Sequence, residues 1–315
     1  MEGHVNRLLS TTEVPPRFLN SALLVGHIPH KALASDSRVS YSLYVPPRHY
    51  GFDAGLVSAP AKLPLLISVH GTRRYFNDIK DLVPFAESTP CAILTPLFPT
   101  GLDSPMDIDS YKVLKSRTLR SDLALLSMLD EVAYRWPGID TDKVFLMGFS
   151  GGGQFVHRFL YLYPERLAAA SVGAPGRVTH LDGEKNWPNG IKDVETVLGK
   201  AVDTELIKQV PIQLVIGGED YKIPGGDEFW QWVRELKAQR TGKVADGTAP
   251  DGLQPLVDQG RTDTLRELRD SWKALGIEAQ LDVVPGVEHD SGGVRECVLA
   301  FLLPLIQKRL KGSTS

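Results

Sequence analysis

The segment Gly148–Gly152, with the sequence GFSGG, follows the apolar run Val144–Met147 and has the pattern G-x-S-x-G. In this pattern the serine, here Ser150, sits on a sharp turn between a strand and a helix. The turn strains the serine backbone, and the residues two before and two after it must be small so that strand and helix can approach. Because glycine and serine are common, these five residues alone are a weak signal. The rest of the chain must supply a base, an acid that orients the base, and donors for an oxyanion.

Length and composition suit a globular protein. The chain has 315 residues, of which 42% are hydrophobic, so it can bury a sizeable core. The net charge of −3 predicts no basic surface for nucleic acid. Cys91 and Cys297 lie far apart in apolar surroundings, which favours two reduced core thiols over a disulfide.

The N-terminus lacks the long apolar segment of a signal peptide. No apolar run approaches the ~20 residues that are needed to cross a bilayer. The expectation is therefore a cytoplasmic protein without a membrane span, and the oligomeric state stays open.

Short apolar runs bounded by turn residues recur along the chain and predict buried strands, which alternate with segments of helical period. Strands are predicted at 22–25, 39–45, 65–69, 92–95, 144–147, 168–172, 212–216 and 279–284. Helices are predicted at 121–135, 152–162, 227–236, 262–275 and 293–303. Thr262 is the expected N-cap of the fourth helix and Gly276 marks its end. The alternation indicates an α/β fold, with a mainly parallel sheet covered by helices on both faces.

Three segments depart from this alternation. Residues 1–37 are predicted to form an N-terminal arm and the first strand, and residues 174–210 an inserted lid. Residues 240–261, rich in Gly, Pro and Asp, are predicted to be a mobile excursion. Because no internal repeat or linker composition interrupts the chain, we expect one domain over residues 1–315.

The segments that follow four predicted strands carry complementary chemistry. In open α/β sheets, ligands bind beyond the carboxyl ends of the strands. The segments that follow these strands are His70–Arg74, Gly148–Gly152, Gly217–Asp220 and Pro285–Asp290. In chain order they supply an oxyanion loop, a serine, an acid and a histidine, which are the parts that acyl transfer requires.

Each predicted role has a chemical reason. Ser150 needs a neighbouring base, because a serine hydroxyl is a poor nucleophile at its own pKa. His289 is the expected base, and Asp220 would hold its imidazole in the correct tautomer and stabilise the imidazolium. The backbone N–H groups of Thr72 and Gly151 are the expected oxyanion donors, the second at the N-terminus of a helix.

The acid has competitors in the sequence. Glu219 and Asp227 are alternatives to Asp220, which is favoured by its distance past the strand. Glu288 and Asp290 flank the histidine and are expected to be solvated or to form local turns.

Other histidines have structural explanations. His70 is expected to brace its loop through a side-chain hydrogen bond, and His157 to pack within its helix. The eight histidines show no metal-ligand spacing, and the chain has no phosphate loop or dinucleotide motif. No metal or other cofactor is therefore expected.

Cations and aromatic residues near these loops are candidate substrate contacts. Arg73 and Arg74 directly follow the oxyanion loop, where either could bind a substrate carboxylate or both could face solvent. The aromatic candidates, which could line an acyl pocket or serve ordinary packing, are Trp187, Tyr221, Phe229 and Trp230.

With these four motifs the chain resembles an α/β-hydrolase over residues 38–305, a superfamily in which Ser, Asp and His follow one another in this order. The segment Ile139–Val144, leading into Gly148–Gly153, resembles the branch of esterases, polyhydroxybutyrate depolymerases and feruloyl esterases. The resemblance implies a serine hydrolase that cleaves a small-molecule carboxylic ester, thioester, lactone or amide through an acyl-enzyme. The alternatives are a biosynthetic cyclase or acyltransferase with the same residues, or a ligand-binding protein or receptor.

Overall fold

The computed structural model describes residues 8–51, 61–75, 78–105, 107–221 and 260–312. Eight strands form its sheet: β1 (Gly26–Ala32), β2 (Ser40–Val45), β3 (Leu63–Val69), β4 (Ala92–Leu97), β5 (Ile139–Phe149), β6 (Leu167–Gly173), β7 (Ile212–Gly217) and β8 (Gln280–Val284). The α-helices in these ranges are α1 (Asp78–Ser88), α2 (Ser121–Arg135), α3 (Gly151–Leu162), α4 (Val194–Leu198), α5 (Thr204–Ile207), α6 (Arg261–Ala274) and α7 (Ser291–Gly312).

The sheet has the strand order β1-β2-β4-β3-β5-β6-β7-β8. The pairs β1–β2 and β2–β4 are antiparallel, and all the other pairs are parallel. Every residue of β3 and β7 is buried, as expected of strands that are covered on both faces. The predicted α/β class with a mainly parallel sheet is confirmed.

Two hydrophobic clusters cover the two faces of the sheet. One contains Leu125 of α2, Phe155 of α3 and Trp272 of α6. The other contains Leu82 of α1 and Leu302 of α7. Burial of each such side chain contributes roughly 1.5–3 kcal/mol. The layers therefore hold the carboxyl ends of β3, β5, β6 and β7 along one edge of the sheet.

The strand predicted at 22–25 is wrong, because β1 begins only at Gly26. Leu24 and Val25 are apolar because they pack into the core from a turn. Leu23 has a φ of 54°, which a strand residue does not adopt. An apolar run of four residues fits a buried turn as well as a strand.

Helix assignments also differ from the sequence analysis, which predicted no helix at α1, α4 or α5. Helix α1 contains Pro84, and α7 continues beyond Pro304 to Gly312 instead of ending at residue 303. Thr262 is not an N-cap, because α6 begins at Arg261 after Gly260. The expected end of α6 is confirmed by Gly276, with a φ of +77°.

The segment 174–210, predicted to be a lid, is packed against α3 through Thr179. The Oγ1 of Thr179 accepts from Arg158 Nε at 2.8 Å, and its carbonyl accepts from Tyr161 Oη at 2.7 Å. Its N–H donates to His157 Nε2 at 3.0 Å. These hydrogen bonds hold the first part of the segment against α3.

Helix α6 also contacts α3. Trp272 Nε1 donates to Tyr161 Oη at 2.8 Å, and both side chains are fully buried. Because the same Tyr161 hydroxyl binds the Thr179 carbonyl, one side chain joins α3, α6 and the segment after β6.

Several predictions lie outside the described residues: the helix at 227–236 with Asp227, Phe229 and Trp230, and all but the end of the excursion at 240–261. In the ranges that the structure does cover, Cys91 and Cys297 are free thiols. None of the helices in these ranges is long and apolar enough to cross a membrane.

Candidate active site

Ser150 occupies the turn between β5 and α3 with a φ of 57° and a ψ of −113°. This conformation is strained for a residue with a side chain and persists only when its surroundings enforce it. Ser150 N donates to the carbonyl of Gly173 at 2.8 Å, and Gln154 N donates to the carbonyl of Ser150 at 3.1 Å. Strand β6 and the first turn of α3 therefore hold the serine backbone in place.

Glycines around Ser150 permit close backbone contacts. A Cβ on Gly148 would lie 2.6 Å from the carbonyl carbon of Gly152. A Cβ on Gly152 would overlap the carbonyl of Val69, and one on Gly153 would overlap that of Gly173. The start of α3 is thus pressed against the ends of β3 and β6, which is why small residues occur at these positions.

The two expected oxyanion donors lie beside each other. A Cβ on Gly151 would lie 2.9 Å from Thr72 N. The N–H of Gly151 is the first of α3 and has no partner within the helix. Within the part of the chain that the structure describes, neither amide donates a hydrogen bond. Both donors remain available to an oxygen next to the serine.

His70 braces the loop that carries Thr72, as expected. Its Nδ1 donates to the carbonyl of Gly71 at 2.9 Å, and its Nε2 accepts from Phe98 N at 3.1 Å. Tyr111 Oη donates to the carbonyl of His70 at 3.1 Å. Burial lowers the pKa of His70 to about 3, so the imidazole stays neutral and keeps its acceptor.

Arg74 turns back into the protein instead of facing solvent or a substrate. It has a φ of 55°, and its guanidinium lies 4.8 Å from the ring centre of Tyr111. It donates at 2.7–3.2 Å to four backbone carbonyls, those of Thr72, Phe98, Pro99 and Ile108. Both expectations for Arg74, a substrate contact or a side chain that faces solvent, are therefore wrong. Arg73 is exposed and stays a predicted substrate contact.

Asp220 and His289 are joined by a hydrogen bond. The Asp220 carboxylate is fully buried just after β7, and its Oδ2 accepts from His289 Nδ1 at 2.5 Å. Its Oδ1 accepts from Arg261 Nη1 at 2.8 Å. Among the described candidates for the acid, Asp220 contacts the histidine, whereas Glu219 is exposed.

His289 stands next to the serine turn without a hydrogen bond to Ser150. Its ring centre is 4.8 Å from that of Phe149, the residue before the serine, and 31% of its side chain is exposed. Bonds between catalytic groups are often long in unliganded structures and tighten with substrate. The structure thus joins Asp220 to His289 and sets His289 beside the turn that carries Ser150.

The loop that carries His289 is fixed on both sides. Glu219 N donates to the carbonyl of Val287 at 2.8 Å, which ties the loops after β7 and β8 together. The carboxylate of Asp290 accepts from the N–H groups of Gly292 and Gly293 at 3.0 Å, at the start of α7. Asp290 therefore forms a local turn, as expected, and Glu288 is exposed.

Sequence reasoning missed Arg261 and Lys112. Arg261 is the first residue of α6 and is 41 positions from its partner Asp220, so no local pattern could reveal it. Lys112 is nearly buried, pairs with Asp109, and its Cε would lie 2.9 Å from a Cβ on Gly151. A lone lysine in a loop gives no signal of such a position.

The aromatic candidates differ in their surroundings. Trp187 is half-buried and its Nε1 donates to the carbonyl of Val113 at 3.0 Å, which favours packing. Tyr221 is 65% exposed, directly after Asp220. His157 packs within α3 as expected, with Nδ1 donating to the carbonyl of Gly153 at 2.9 Å. In the described ranges, no group of three His, Cys, Asp or Glu side chains could hold a metal ion.

No protein-family model and no curated protein matches the sequence. Among solved structures, a poly(3-hydroxybutyrate) depolymerase from Bordetella parapertussis is similar, with a TM-score of 0.62 and 21% identity over 92% of this chain and 94% of its own. Poly(aspartic acid) hydrolase-1 from Sphingomonas sp. KT-1 has a TM-score of 0.57 and 19% identity over 83% and 92%. An S-formylglutathione hydrolase from Agrobacterium tumefaciens has a TM-score of 0.51 and 13% identity over 92% and 99%. The chain has the α/β-hydrolase fold.

Proposed function

We propose that the protein is a serine hydrolase that cleaves a carboxylic ester, or a related thioester, lactone or amide, through an acyl-enzyme on Ser150. The observation that carries the proposal is the 2.5 Å hydrogen bond between buried Asp220 and His289, beside a serine held at a φ of 57°. A strained serine, an acid and a base, in this chain order, are the parts of a serine nucleophile system.

In the first step His289 accepts the Ser150 proton at Nε2 while Oγ attacks the carbonyl carbon of the substrate. The carbonyl oxygen becomes an oxyanion, to which the N–H groups of Thr72 and Gly151 donate. Removal of one such donor typically costs about 10²–10³ in turnover. The imidazolium then gives its proton to the leaving group, and the acyl group remains on Ser150.

In the second step a water molecule takes the place of the leaving group. His289 accepts a proton from the water, whose oxygen attacks the acyl carbon. Collapse of the second oxyanion releases the carboxylic acid and returns the proton to Ser150. Asp220 acts in both steps, because its carboxylate keeps Nδ1 protonated and stabilises the imidazolium.

Arg261 has a positioning role in this scheme. A buried carboxylate is costly unless each oxygen is paired. Arg261 binds one oxygen of Asp220 at 2.8 Å, which leaves the other directed at His289.

The structural neighbours support the same reaction class. Their names are those of a poly(3-hydroxybutyrate) depolymerase, a poly(aspartic acid) hydrolase and an S-formylglutathione hydrolase. These substrates differ from one another, so the names favour hydrolysis at an acyl carbon without selecting the substrate of this chain.

The proposal is tested by p-nitrophenyl acetate turnover and fluorophosphonate labelling of the wild type and Ser150→Ala. We expect Ser150→Ala to lose turnover by about 10⁴-fold or more and to lose labelling, because no other group replaces the nucleophile. Ser88→Ala, an exposed serine on α1, is the matched control and should behave as wild type. Equal labelling of wild type and Ser150→Ala would refute the proposal.

A further inference from the structure

Lys112 places a positive charge beside the proposed oxyanion donors. A Cβ on Gly151 would lie 2.9 Å from Lys112 Cε and 2.9 Å from Thr72 N. The lysine side chain is nearly buried, and its ammonium pairs with Asp109, whose side chain is 40% exposed. Asp109 is therefore shared between this ammonium and solvent.

Arg177 brings a second positive charge to the same region. It lies four residues after Gly173, whose carbonyl binds Ser150 N. Arg177 is half-buried, and across the described ranges it takes part in no hydrogen bond or ion pair. Burial lowers the pKa of Lys112, and repulsion by Arg74 and Arg177 lowers it further.

Arg158 links the two cations through the backbone. Its Nη1 donates to the carbonyl of Lys112 at 2.9 Å, and its Nε donates to Thr179 Oγ1 at 2.8 Å, two residues after Arg177. Arg158 itself is fully buried, and its Nη1 also donates to the carbonyl of Gln154 at 3.3 Å. The 3-10 helix Ser110–Val113, which contains Lys112, and the segment with Arg177 are thus held on the same side of α3.

The charges in this region do not balance. Lys112 feels the charges of Arg74 and Arg177, and Arg158 feels the charge of Arg177. The described carboxylates that act on them are those of Asp107 and Asp109. Arg74 spends its donors on protein carbonyls, whereas Lys112 and Arg177 have N–H groups left for another anion.

We propose that Lys112 and Arg177 bind a carboxylate that the substrate carries next to its scissile acyl group. The inference rests on the proposed hydrolase function. It narrows the substrate to esters or amides that carry a free carboxylate, such as monoesters of dicarboxylic acids. A guanidinium accepts a carboxylate through two parallel hydrogen bonds, and a partly buried site strengthens the pairing. The carboxylate would offset the cost of holding two cations together in a poorly solvated region.

A different role for Lys112 makes a different prediction. If its ammonium only stabilised the oxyanion, it would assist every ester equally, charged or neutral. The comparison of charged and neutral substrates of equal size therefore separates the two roles.

The test compares kcat/KM on two matched ester pairs. Mono-p-nitrophenyl adipate and p-nitrophenyl hexanoate differ by a carboxylate on the acyl side. 4-Carboxyphenyl acetate and the analogue in which its carboxylate is a methyl ester differ by a carboxylate on the leaving group. We expect wild type to prefer the charged member of at least one pair, and Arg177→Gln to lower that preference by about 10- to 100-fold, because hydrogen bonds to a charged group are lost. Arg177→Lys should retain part of it, and higher ionic strength should reduce it.

Lys192→Gln is the matched control, because it removes the same charge from an exposed site on the same segment. It should leave the preference at the wild-type value. A wild type that prefers neither charged ester, or an Arg177→Gln variant that loses charged and neutral turnover equally, would overturn the inference.

A binding measurement separates this inference from the hydrolase proposal. Monomethyl adipate is titrated by calorimetry into Ser150→Ala, with and without Arg177→Gln. Binding that weakens about tenfold or more with Arg177→Gln supports the anion site even if no ester is cleaved. Equal binding to both proteins overturns it even if Ser150 is a proven nucleophile.

Discussion

The two halves of the candidate site are fixed in different ways. The half with the proposed nucleophile, here called the nucleophile half, is Ser150 with Gly151 and Thr72. It lies over the centre of the sheet, where glycine contacts leave no room for a Cβ. The acid–base half, Asp220 with His289 and Arg261, lies at the β7–β8 end, and side-chain hydrogen bonds at 2.5 and 2.8 Å hold it. Strand β8 is the edge strand and is only partly buried.

The difference sets how each half responds to change. Backbone contacts at overlap distance cannot relax by side-chain rotation, so a substitution there must move β3, β6 or α3. A side-chain hydrogen bond can be weakened or replaced without moving the chain. We therefore expect substitution of the glycines around Ser150 to appear in stability, and damage to the acid–base half to appear in turnover.

Gly152→Ala should produce the largest effect on the fold. The new methyl group would overlap the carbonyl of Val69, so we expect the free energy of unfolding to fall by about 3 kcal/mol. Urea unfolding followed by circular dichroism measures it. Gly183→Ala is the control, since a Cβ there meets nothing within 4 Å and should change stability by only about 0.5 kcal/mol. Similar stabilities of the two variants would contradict the steric account.

Arg261→Gln should reduce kcat by up to about 100-fold, because Asp220 loses one of its two side-chain partners and misorients His289. Steady-state kinetics on p-nitrophenyl acetate, with melting temperatures measured in parallel, tests this. Arg261→Lys should recover part of the activity, and Arg266→Gln on the exposed face of α6 should match wild type. An unchanged kcat in Arg261→Gln would show that Arg261 does not position Asp220 and His289.

The pH dependence of the free energy of unfolding should reveal the contribution of His157, which supports the nucleophile half. Burial, and then repulsion by Arg158, hold the pKa of His157 well below its ordinary value, and the neutral ring accepts from Thr179 N at Nε2. The unfolded chain binds a proton near pH 6.5 and the folded protein does not, so stability falls as the pH drops below that value. Between pH 7.5 and 5.5 this group should contribute a loss of about 1.4 kcal/mol.

His157→Gln keeps an acceptor but cannot titrate, so its loss of unfolding free energy between these pH values should be smaller by about that amount. The exposed His27→Gln is the control and should retain the wild-type dependence. An identical pH dependence in all three proteins would show that His157 does not contribute.

The sequence predicts the parts of the molecule that depend on local patterns. The buried strands β3, β4, β6 and β7 and the second half of β5 are mainly apolar, and their alternation with helices is sufficient to assign the sheet. The turn at Ser150 can be predicted because its close backbone contacts require glycine at fixed positions around the serine, and these glycines form a local pattern. The positions of Asp220 and His289 follow from the strands that precede them.

The contacts that the sequence cannot predict are long-range. Arg261 meets Asp220 across 41 residues, part of which lies outside the described ranges. Arg74 turns inward only because Tyr111 and the carbonyls after β4 lie under its loop. Helix α7 continues past Pro304 because it packs on the sheet through Leu302 and Ile306, and this packing overrides the local preference.

Helix α6 touches both halves of the site. Its first residue, Arg261, binds Asp220, and Trp272, about three turns further on, binds Tyr161 of the helix that begins after Ser150. Helix α6 thus spans a fixed distance between Asp220 and α3. A hinge motion that separated the two halves would have to break a buried hydrogen bond at one end of α6. The halves are therefore expected to unfold as one cooperative unit, and the spacing between acid and serine is set before any substrate arrives.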